Sequence, residues 1–304
     1  MSQLNNPFEQ VELLMNAETG AADRDGRTGR VWLITGASSG FGRSIAAAAL
    51  AAGDAVVATA RRPEALDDLV AGYPDRAVTA QLDVTDTARI AAVVADTVLW
   101  HGRIDVVVNN AGLGMVGAVE ETTDQELRDL MDLHFFGPAA LVRAVLPHMR
   151  RQQSGAIVQM SSMGGRFTFP GVGAYSATKF ALEGLSEALA AEVAPHGIKV
   201  LIVEPGSFRT GFAGGGALRQ TAAMPAYEAT VGPVRTDLPG SDGKQEGDPD
   251  KAAAAILTAL AAENTPLRLP LGNDATDAIQ AHLEAARAEA LLWEKVSRST
   301  AFAD

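Results

Sequence analysis

A hydroxyl, a phenol and an ammonium stand in this sequence at a spacing that could bring them together. Tyr175 and Lys179 are four residues apart in a segment rich in Ala, Leu and Glu, which favour an α-helix, so their side chains would share one helical face. Ser162 follows a short apolar run that predicts a buried strand, and a loop with several glycines and a proline connects it to the helix. The three side chains could therefore meet, although a Tyr-x-x-x-Lys pair by itself is more often a surface coincidence.

The phenol and the ammonium suit a reaction that moves a proton. A tyrosine with its ordinary pKa of about 10 is a poor proton carrier at neutral pH, and a neighbouring cation lowers that pKa. Lys179 is the cation placed to do so. Ser161 stands beside Ser162 as a second candidate hydroxyl.

A glycine-rich turn near the start of the chain is a candidate anion site. Gly36, Gly40 and Gly42 lie between an apolar run and an alanine-rich stretch that predict a strand and a helix. Glycines in such a turn let the backbone approach a pyrophosphate, and the free amides that begin the helix favour an anion. The spacing departs from Gly-x-Gly-x-x-Gly, and glycine in a turn is often only conformational, but the position directly after the first strand favours a nucleotide.

Predicted strands and helices alternate along most of the chain. Such alternation predicts an α/β fold: a doubly wound, Rossmann-like parallel sheet of about seven strands with helices on both faces, in three layers. The predicted strands are Val31–Thr35, Ala55–Ala60, Ala77–Leu82, Ile104–Val108, Ala156–Met160, Ile198–Val203 and Leu267–Leu271.

The predicted elements form one domain over residues 30–304. Residues 1–29 show no apolar periodicity and are expected to be a flexible leader, with docking of Val11 to Met15 at a subunit interface as the alternative. Residues Phe208 to Pro249 are rich in Gly, Ala, Thr, Pro and Asp and too numerous for an ordinary connection. We expect a substrate lid or a mobile insert at about 207–250.

Composition excludes several kinds of partner. The net charge of −12 argues against nucleic acid, which requires a basic face, and the absence of cysteine removes disulfide and thiolate chemistry. We expect no signal peptide, because the N-terminal segment lacks a basic stretch followed by an apolar one. The longest apolar stretch, Ile45 to Ala60, is interrupted by Gly53 and Asp54, so we expect no membrane span and a cytoplasmic protein. His101, His148, His196 and His282 have no metal-like spacing, so no metal site is predicted.

Four motifs in this order resemble the short-chain dehydrogenase/reductase family. They cover about Arg30 to Gly206 and read Thr35-Gly-Ala-Ser-Ser-Gly-Phe-Gly42, Asn109-Asn110-Ala111-Gly112, Ser162 with Tyr175 and Lys179, and Pro205-Gly206. The resemblance implies that Tyr175 is the general acid and base, that Lys179 tunes it and binds the cofactor ribose, and that Ser162 holds the carbonyl oxygen. The thirteen-residue spacing to the tyrosine selects Ser162 over Ser161. The implied cofactor contacts are Gly36, Ser38, Ser39, Gly40, Phe41, Gly42, Asp83, Val84, Asn110, Ala111, Gly112, Tyr175, Lys179, Pro205 and Gly206.

The end of the second predicted strand indicates which nicotinamide cofactor binds. In a dinucleotide fold this point meets the adenosine ribose, where a carboxylate suits a free 2′-hydroxyl and a cation suits a 2′-phosphate. The sequence offers Arg61 and Arg62 there and no acid, so NADP(H) is predicted over NAD(H). The alternative is that both arginines belong to a solvated turn.

One position departs from the family pattern. Members usually carry Asn-Phe-Phe-Gly before the catalytic strand, with a backbone group of the asparagine holding a water that leads to the lysine, whereas this chain has His134 there. His134 could take the place of the asparagine in the proton path, or it could be a half-buried structural histidine. On the tyrosine helix, Glu183 and Glu187 are expected to form a solvated stripe or part of a subunit contact rather than to act as acids.

The predicted function is NADP(H)-dependent interconversion of a ketone or aldehyde and an alcohol. The small-molecule substrate would bind under a lid whose Phe208, Phe212, Met224 and Tyr227 suggest an apolar pocket. A non-catalytic NADP(H)-binding sensor is the alternative, and an epimerase or dehydratase of the wider superfamily fits less well. The resemblance also implies a homodimer or homotetramer.

Overall fold

The central element is a seven-stranded parallel sheet. The computed structural model describes residues 29–214 and 216–302, so the predicted leader lies outside the described residues apart from Gly29. The strand order is β3-β2-β1-β4-β6-β7-β9 and every pair is parallel, which confirms the predicted α/β fold class. The strands of this sheet are β1 Val31–Ile34, β2 Ala55–Ala60, β3 Ala77–Gln81, β4 Val106–Asn109, β6 Gly155–Met160, β7 Ile198–Pro205 and β9 Arg268–Leu271.

Two short strands that the sequence did not predict form a second sheet. They are β5, Gly114–Val116, and β8, Leu218–Gln220, which pair in parallel. Three residues are too few to show a period of two, so no alternation marked them. This pairing fastens the predicted lid segment to the loop that follows β4.

Helices cover both faces of the main sheet. Their bounds are α1 Gly40–Ala51, α2 Asp67–Ala71, α3 Thr87–His101, α4 Asp124–Met131, α5 Gly137–Gln152, α6 Gly173–Val193, α7 Glu228–Gly240, α8 Pro249–Ala261, α9 Asn273–Leu292 and α10 Glu294–Arg298. A π-helical turn, Asp132–Phe136, joins α4 to α5. Helix α7 lies inside 207–250, where the sequence predicted none because Pro233 and Pro239 interrupt it. It tolerates them at the surface, where carbonyls freed by the missing N–H groups can be solvated.

The core has two halves, one on each face of the sheet. Trp32 and Ile34 of β1 pack with residues of α1 and α8, whereas Leu33 between them packs with residues of α3, α5 and α6. This alternation is the period of two expected of a strand buried on both faces. One helical stretch, Asp124–Gln152, is long and apolar enough to cross a membrane by length and composition alone, but half of its most apolar window is buried, as in a core helix.

The sheet places the predicted motifs at one edge. The strand order reverses between β1 and β4, and ligands of open α/β sheets bind outside the carboxyl ends of the strands at such a point. The glycine turn follows β1, the Asn109 motif ends β4, Ser162 follows β6 and Gly206 follows β7. All four motifs therefore face one side of the molecule.

Candidate active site

The glycine turn after β1 is packed too closely for side chains. Gly36 and Gly40 adopt φ values of +63° and +53°, which side chains rarely tolerate. A Cβ on Gly42 would lie 2.4 Å from the carbonyl oxygen of Gly36 and 2.5 Å from Nδ2 of Asn110. The Asn110 amide donates to the carbonyl oxygens of Thr35 and Gly36 at 2.9 and 3.1 Å, so it fixes the shape of the turn.

The N-terminus of α1 is free to receive an anion. Its N-cap residue, Ser39, makes no side-chain capping bond and the first turn holds no acidic residue. Helices α3, α4 and α8 instead are capped by their own Asp86, Thr123 and Asp248. Uncapped amides and the positive end of the helix dipole together suit a phosphate. The turn therefore fits a dinucleotide pyrophosphate.

A cavity of about 650 Å³ connects this turn to the predicted catalytic residues. Arg61 lies at its wall, whereas Arg62 does not, and Gly42 lies behind the turn rather than on its surface. The other predicted site residues all line the cavity: Gly36, Ser38, Ser39, Gly40, Phe41, Asp83, Val84, Asn110, Ala111, Gly112, His134, Ser162, Tyr175, Lys179, Pro205 and Gly206.

The end of β2 presents a free cation. Arg61 is exposed and forms no ion pair with any residue in the described part of the chain. On the neighbouring strand end, Oδ1 of Asp83 accepts hydrogen bonds from the backbone N–H and the hydroxyl of Thr85 at 3.0 and 2.8 Å. Asp83 thus shapes its own turn, and Arg61 is the cation at this end of the cavity.

Ser162, Tyr175 and Lys179 meet at the other end of the cavity. The Ser162 hydroxyl hydrogen-bonds the Tyr175 phenol and accepts from the backbone N–H of Gly164 at 3.0 Å. The Lys179 ammonium donates to the carbonyl oxygen of Met160 at 2.8 Å and lies 5.6 Å from the centre of the Tyr175 ring. The structure therefore assembles the three side chains that the sequence spacing suggested.

Burial shifts the pKa values of these groups strongly. It raises the pKa of Tyr175 to about 12, and the Ser162 hydrogen bond opposes that shift only partly. It lowers the pKa of Lys179 to about 8, while the nearby charge of Glu183 acts in the opposite direction. The net shift of the Tyr175 pKa is therefore upward, opposite to the direction expected from the neighbouring lysine, because desolvation of the phenolate outweighs the stabilising contact with Ser162.

His134 is buried and forms hydrogen bonds to two separate segments of the site. Its Nε2 accepts a hydrogen bond from the backbone N–H of Leu113 at 3.1 Å, so the ring proton resides on Nδ1. Nδ1 lies 2.9 Å from the Thr178 hydroxyl, which in turn donates to the carbonyl oxygen of Tyr175 at 2.7 Å. The side chain is fully buried rather than half-buried, and burial holds its pKa well below the ordinary value. Of the two sequence interpretations, this geometry supports the structural one.

On helix α6, the environment of Glu183 differs from the solvated stripe predicted from the sequence. Glu183 is buried and accepts a hydrogen bond from Arg268, so it is not part of a solvated stripe. Only Glu187, whose side chain is 63% exposed, faces solvent. Arg268 lies 85 residues further along the chain, and no local pattern could have indicated this contact.

The lid segment forms the apolar side of the cavity. Phe212 lies 6.0 Å from Tyr175, centre to centre, and Phe208 packs against Phe41 at 5.0 Å. Met224 and Tyr227, which the sequence also assigned to the pocket, lie outside the cavity wall. The remaining apolar wall residues include Leu113, Met115, Met163, Phe169, Val172, Leu218 and Leu238.

A buried ion pair holds this lid to the body. Glu121 accepts from Arg235 of α7 at 2.6 Å, from the backbone N–H of Ala118 at 2.7 Å and from that of Met224 at 2.6 Å. Three donor groups from two separate segments thus converge on one carboxylate. The lid segment is therefore attached to the body of the domain here, and several of its residues form one wall of the cavity.

Comparisons with known proteins point to one family. The family model described as short chain dehydrogenase matches residues 30–218. Oxidoreductase BOA17 of Botryotinia fuckeliana is 40% identical over 273 residues, which cover 90% of this chain and 99% of that protein. A 3-ketodihydrosphingosine reductase of Bacteroides thetaiotaomicron is 37% identical over 243 residues, which cover 80% of this chain and 88% of that protein.

Solved structures agree with this assignment. A short-chain dehydrogenase from Streptomyces avermitilis is 61% identical with a TM-score of 0.86, covering 90% of this chain and 99% of its own. One from Burkholderia cenocepacia in complex with NADP is 26% identical with a TM-score of 0.68, covering 86% and 96%. One from Burkholderia phymatum in complex with NAD, at 23% identity and a TM-score of 0.77 over 86% and 95%, shares the fold. This chain belongs to the short-chain dehydrogenase family of oxidoreductases.

Proposed function

We propose that the protein is an NADP(H)-dependent oxidoreductase that interconverts a ketone or aldehyde and an alcohol, with Tyr175 as the general acid and base. One observation carries the proposal: Ser162, Tyr175 and Lys179 converge at the end of a cavity whose other end is a turn suited to a pyrophosphate. A protein that only sensed the cofactor would not need the three side chains together.

Each of the three residues has a distinct part in the reaction. The bound cofactor supplies or accepts the hydride. The Ser162 hydroxyl would hold the carbonyl oxygen, and the Tyr175 phenol would donate its proton to that oxygen as the alcohol forms. The raised pKa of Tyr175 keeps the phenol protonated at neutral pH, which is the form that reduction requires. The Lys179 ammonium would stabilise the phenolate that remains.

Arg61 supports the preference for NADP(H). It lies at the cavity wall beside the end of β2 and forms no ion pair among the described residues, and a 2′-phosphate at this point would need a positive partner. Gly36, Ser38, Ser39, Gly40 and Phe41 would hold the pyrophosphate through the N-terminus of α1. Asp83 and Val84 would lie beside the adenine, and Asn110 to Gly112 beside the rest of the cofactor.

An apolar ketone of medium size is the substrate that we propose. Phe212, Val172 and Met115 line the cavity with apolar surface, and the Phe212 ring lies 6.0 Å from the Tyr175 ring, so this lining would favour an apolar substrate. The 37% identity to a 3-ketodihydrosphingosine reductase is consistent with a ketone that carries a long apolar group.

We further propose a cytoplasmic homodimer or homotetramer with no nucleic-acid or membrane partner. The net charge of −12 supports solubility and disfavours binding to polyanions. Phe180 on α6 and Phe136 before α5 are 46% and 51% exposed, and large apolar side chains on these neighbouring helices suit contact with a second copy.

A screen of ketones and aldehydes with both reduced cofactors tests the proposal. Oxidation of NADPH, followed at its nicotinamide absorbance, should depend on an apolar ketone and should exceed oxidation of NADH at equal concentration. Tight NADPH binding without turnover of any carbonyl or alcohol would instead support the sensor. Faster turnover with NADH would overturn the cofactor assignment while leaving the reaction class intact.

A further inference from the structure

A cluster of buried charges lies behind the catalytic residues and has no part in the mechanism above. Glu204 on β7 is fully buried and accepts from Arg166 at 2.9 Å. Glu183 on α6 is 4% exposed and accepts from Nε of Arg268 at 3.0 Å, and the same nitrogen lies 3.4 Å from Glu204. Ionised groups are rarely buried to this extent unless they are paired.

Glu183 is placed to act on Lys179. It follows the lysine by four residues on α6, so the two side chains share one helical face, and both are buried. One oxygen of its carboxylate is committed to Arg268, but the other, Oε1, has no hydrogen-bond partner among the described residues. That free oxygen lies beside Gly165, 3.2 Å from where a Cβ would stand, in the turn that directly follows Ser162. The carboxylate oxygen of Glu183 that lacks a hydrogen-bond partner therefore faces the turn that follows Ser162.

Arg268 cannot neutralise Glu183 by itself. Its guanidinium is shared among three carboxylates, those of Glu183, Glu187 and Glu204, at 3.0, 3.0 and 3.4 Å. Burial raises the pKa of Glu204, and the nearby Glu183 charge raises it further against the pull of Arg166 and Arg268. A proton taken up by the cluster is therefore expected on Glu204.

We propose that Glu183 is a positioning residue that keeps Lys179 in the ammonium form required beside Tyr175. Burial favours the neutral amine, and Glu183 is the acidic side chain of α6 one turn away that opposes it. The inference rests on the proposed function, because only an enzyme that uses Lys179 as a cation gains from a negative charge at Glu183. It assigns a catalytic consequence to a buried ion cluster that would otherwise be purely structural.

The other titratable groups near Lys179 and Glu183 do not reverse the effect that Glu183 is expected to have on the pKa of Lys179. His134, which faces Lys179 from the π-helical turn, has its pKa held low by burial and by the lysine charge, so it adds no cation near neutral pH. Tyr175 stays protonated and neutral. Arg268 of β9 contacts Glu183, Glu187 of α6 and Glu204 of β7. Arg166, from the turn after Ser162, contacts Glu204.

The test compares Glu183→Gln with Glu187→Gln in carbonyl reduction as a function of pH. The rate is expected to be full below the pKa of Lys179, about 8, and to fall as pH rises through it. Removing the Glu183 charge should move this alkaline limb of kcat/KM down by about one pH unit. Glu187→Gln removes a carboxylate from the same helix and the same arginine but further from Lys179, and should leave the limb in place.

Two further measurements keep the inference testable if Glu183→Gln folds poorly. Arg268→Gln, which frees the Glu183 charge, should move the limb to higher pH, a direction that simple structural damage would not produce. In the cofactor-free protein, carbon-13 NMR of the lysine Cε should report a lower pKa for Lys179 in Glu183→Gln, with the signal assigned by loss in Lys179→Met. This reading does not depend on turnover, so it separates failure of the inference from failure of the proposed function. A Lys179 pKa or an alkaline limb unchanged by either variant would overturn the inference.

Discussion

Replacing His134 by asparagine should change how stability depends on pH. The buried ring is neutral in the folded protein, because its Nε2 accepts from the backbone N–H of Leu113 and burial holds its pKa well below the ordinary value. In the unfolded chain the same ring takes up a proton below about pH 6.5. The unfolded state therefore binds more protons at low pH, and stability is lost as pH falls through the unfolded pKa.

The size of this effect follows from linkage. A single proton bound only by the unfolded state costs about 1.4 kcal/mol of stability between pH 7.5 and 5.5, provided that the folded pKa lies well below that interval. His134→Asn should remove this contribution. It should also destabilise the protein at every pH, because an unpaired buried N–H at Leu113 costs about 1 to 3 kcal/mol.

Urea unfolding of both proteins at pH 7.5 and 5.5 measures the difference directly. All other titrating groups cancel when the two pH dependences are subtracted, so the wild type should lose about 1.4 kcal/mol more than His134→Asn. Thr178→Val is the matched control, because it removes the hydroxyl partner of Nδ1 but keeps the imidazole and should retain the wild-type pH dependence. If the unfolding free energies of wild type and His134→Asn depend equally on pH, the account of a neutral, buried ring is refuted. Because the ring is not expected to titrate during catalysis, kcat of wild type and kcat of His134→Asn should depend on pH in the same way.

Three other substitutions test separate parts of the site. Arg61→Ala should weaken NADPH binding by about ten- to a hundred-fold, the loss of one charge-assisted hydrogen bond, and leave the Kd of NADH unchanged in fluorescence titrations. Gly42→Ala should abolish cofactor binding in the same titration, because its methyl group would stand 2.4 Å from the Gly36 carbonyl oxygen. Phe212→Ala should lower kcat/KM for small ketones by about ten-fold, since it removes the apolar wall beside Tyr175, and should affect bulky ketones less.

The sequence predicts the parts of this protein that local patterns encode. Short, mostly apolar segments that alternate with helical patterns mark the seven strands of the main sheet, and spacing along one helix places Tyr175 and Lys179 on a common face. Strands β5 and β8 are not predicted because three residues cannot show a period of two. Helix α7 is not predicted because its prolines indicate a loop.

Contacts between distant residues lie beyond such patterns. Glu183 meets Arg268 across 85 residues, and His134 meets Leu113 and Thr178 from 21 and 44 residues away. The direction of the Tyr175 pKa likewise depends on burial by the whole fold rather than on the lysine one turn away. Residue types thus indicate the chemistry, whereas tertiary packing decides protonation.

In the proposed reaction Tyr175 delivers the proton, and Tyr175→Phe tests this role most directly. The variant keeps the ring and its packing but loses the phenol hydroxyl that Ser162 contacts. NADPH should bind with a Kd within about three-fold of wild type, while ketone-dependent NADPH oxidation should fall by about 100- to 10,000-fold, the usual contribution of a positioned general acid. Turnover within ten-fold of wild type in a variant that binds NADPH normally would contradict the claim.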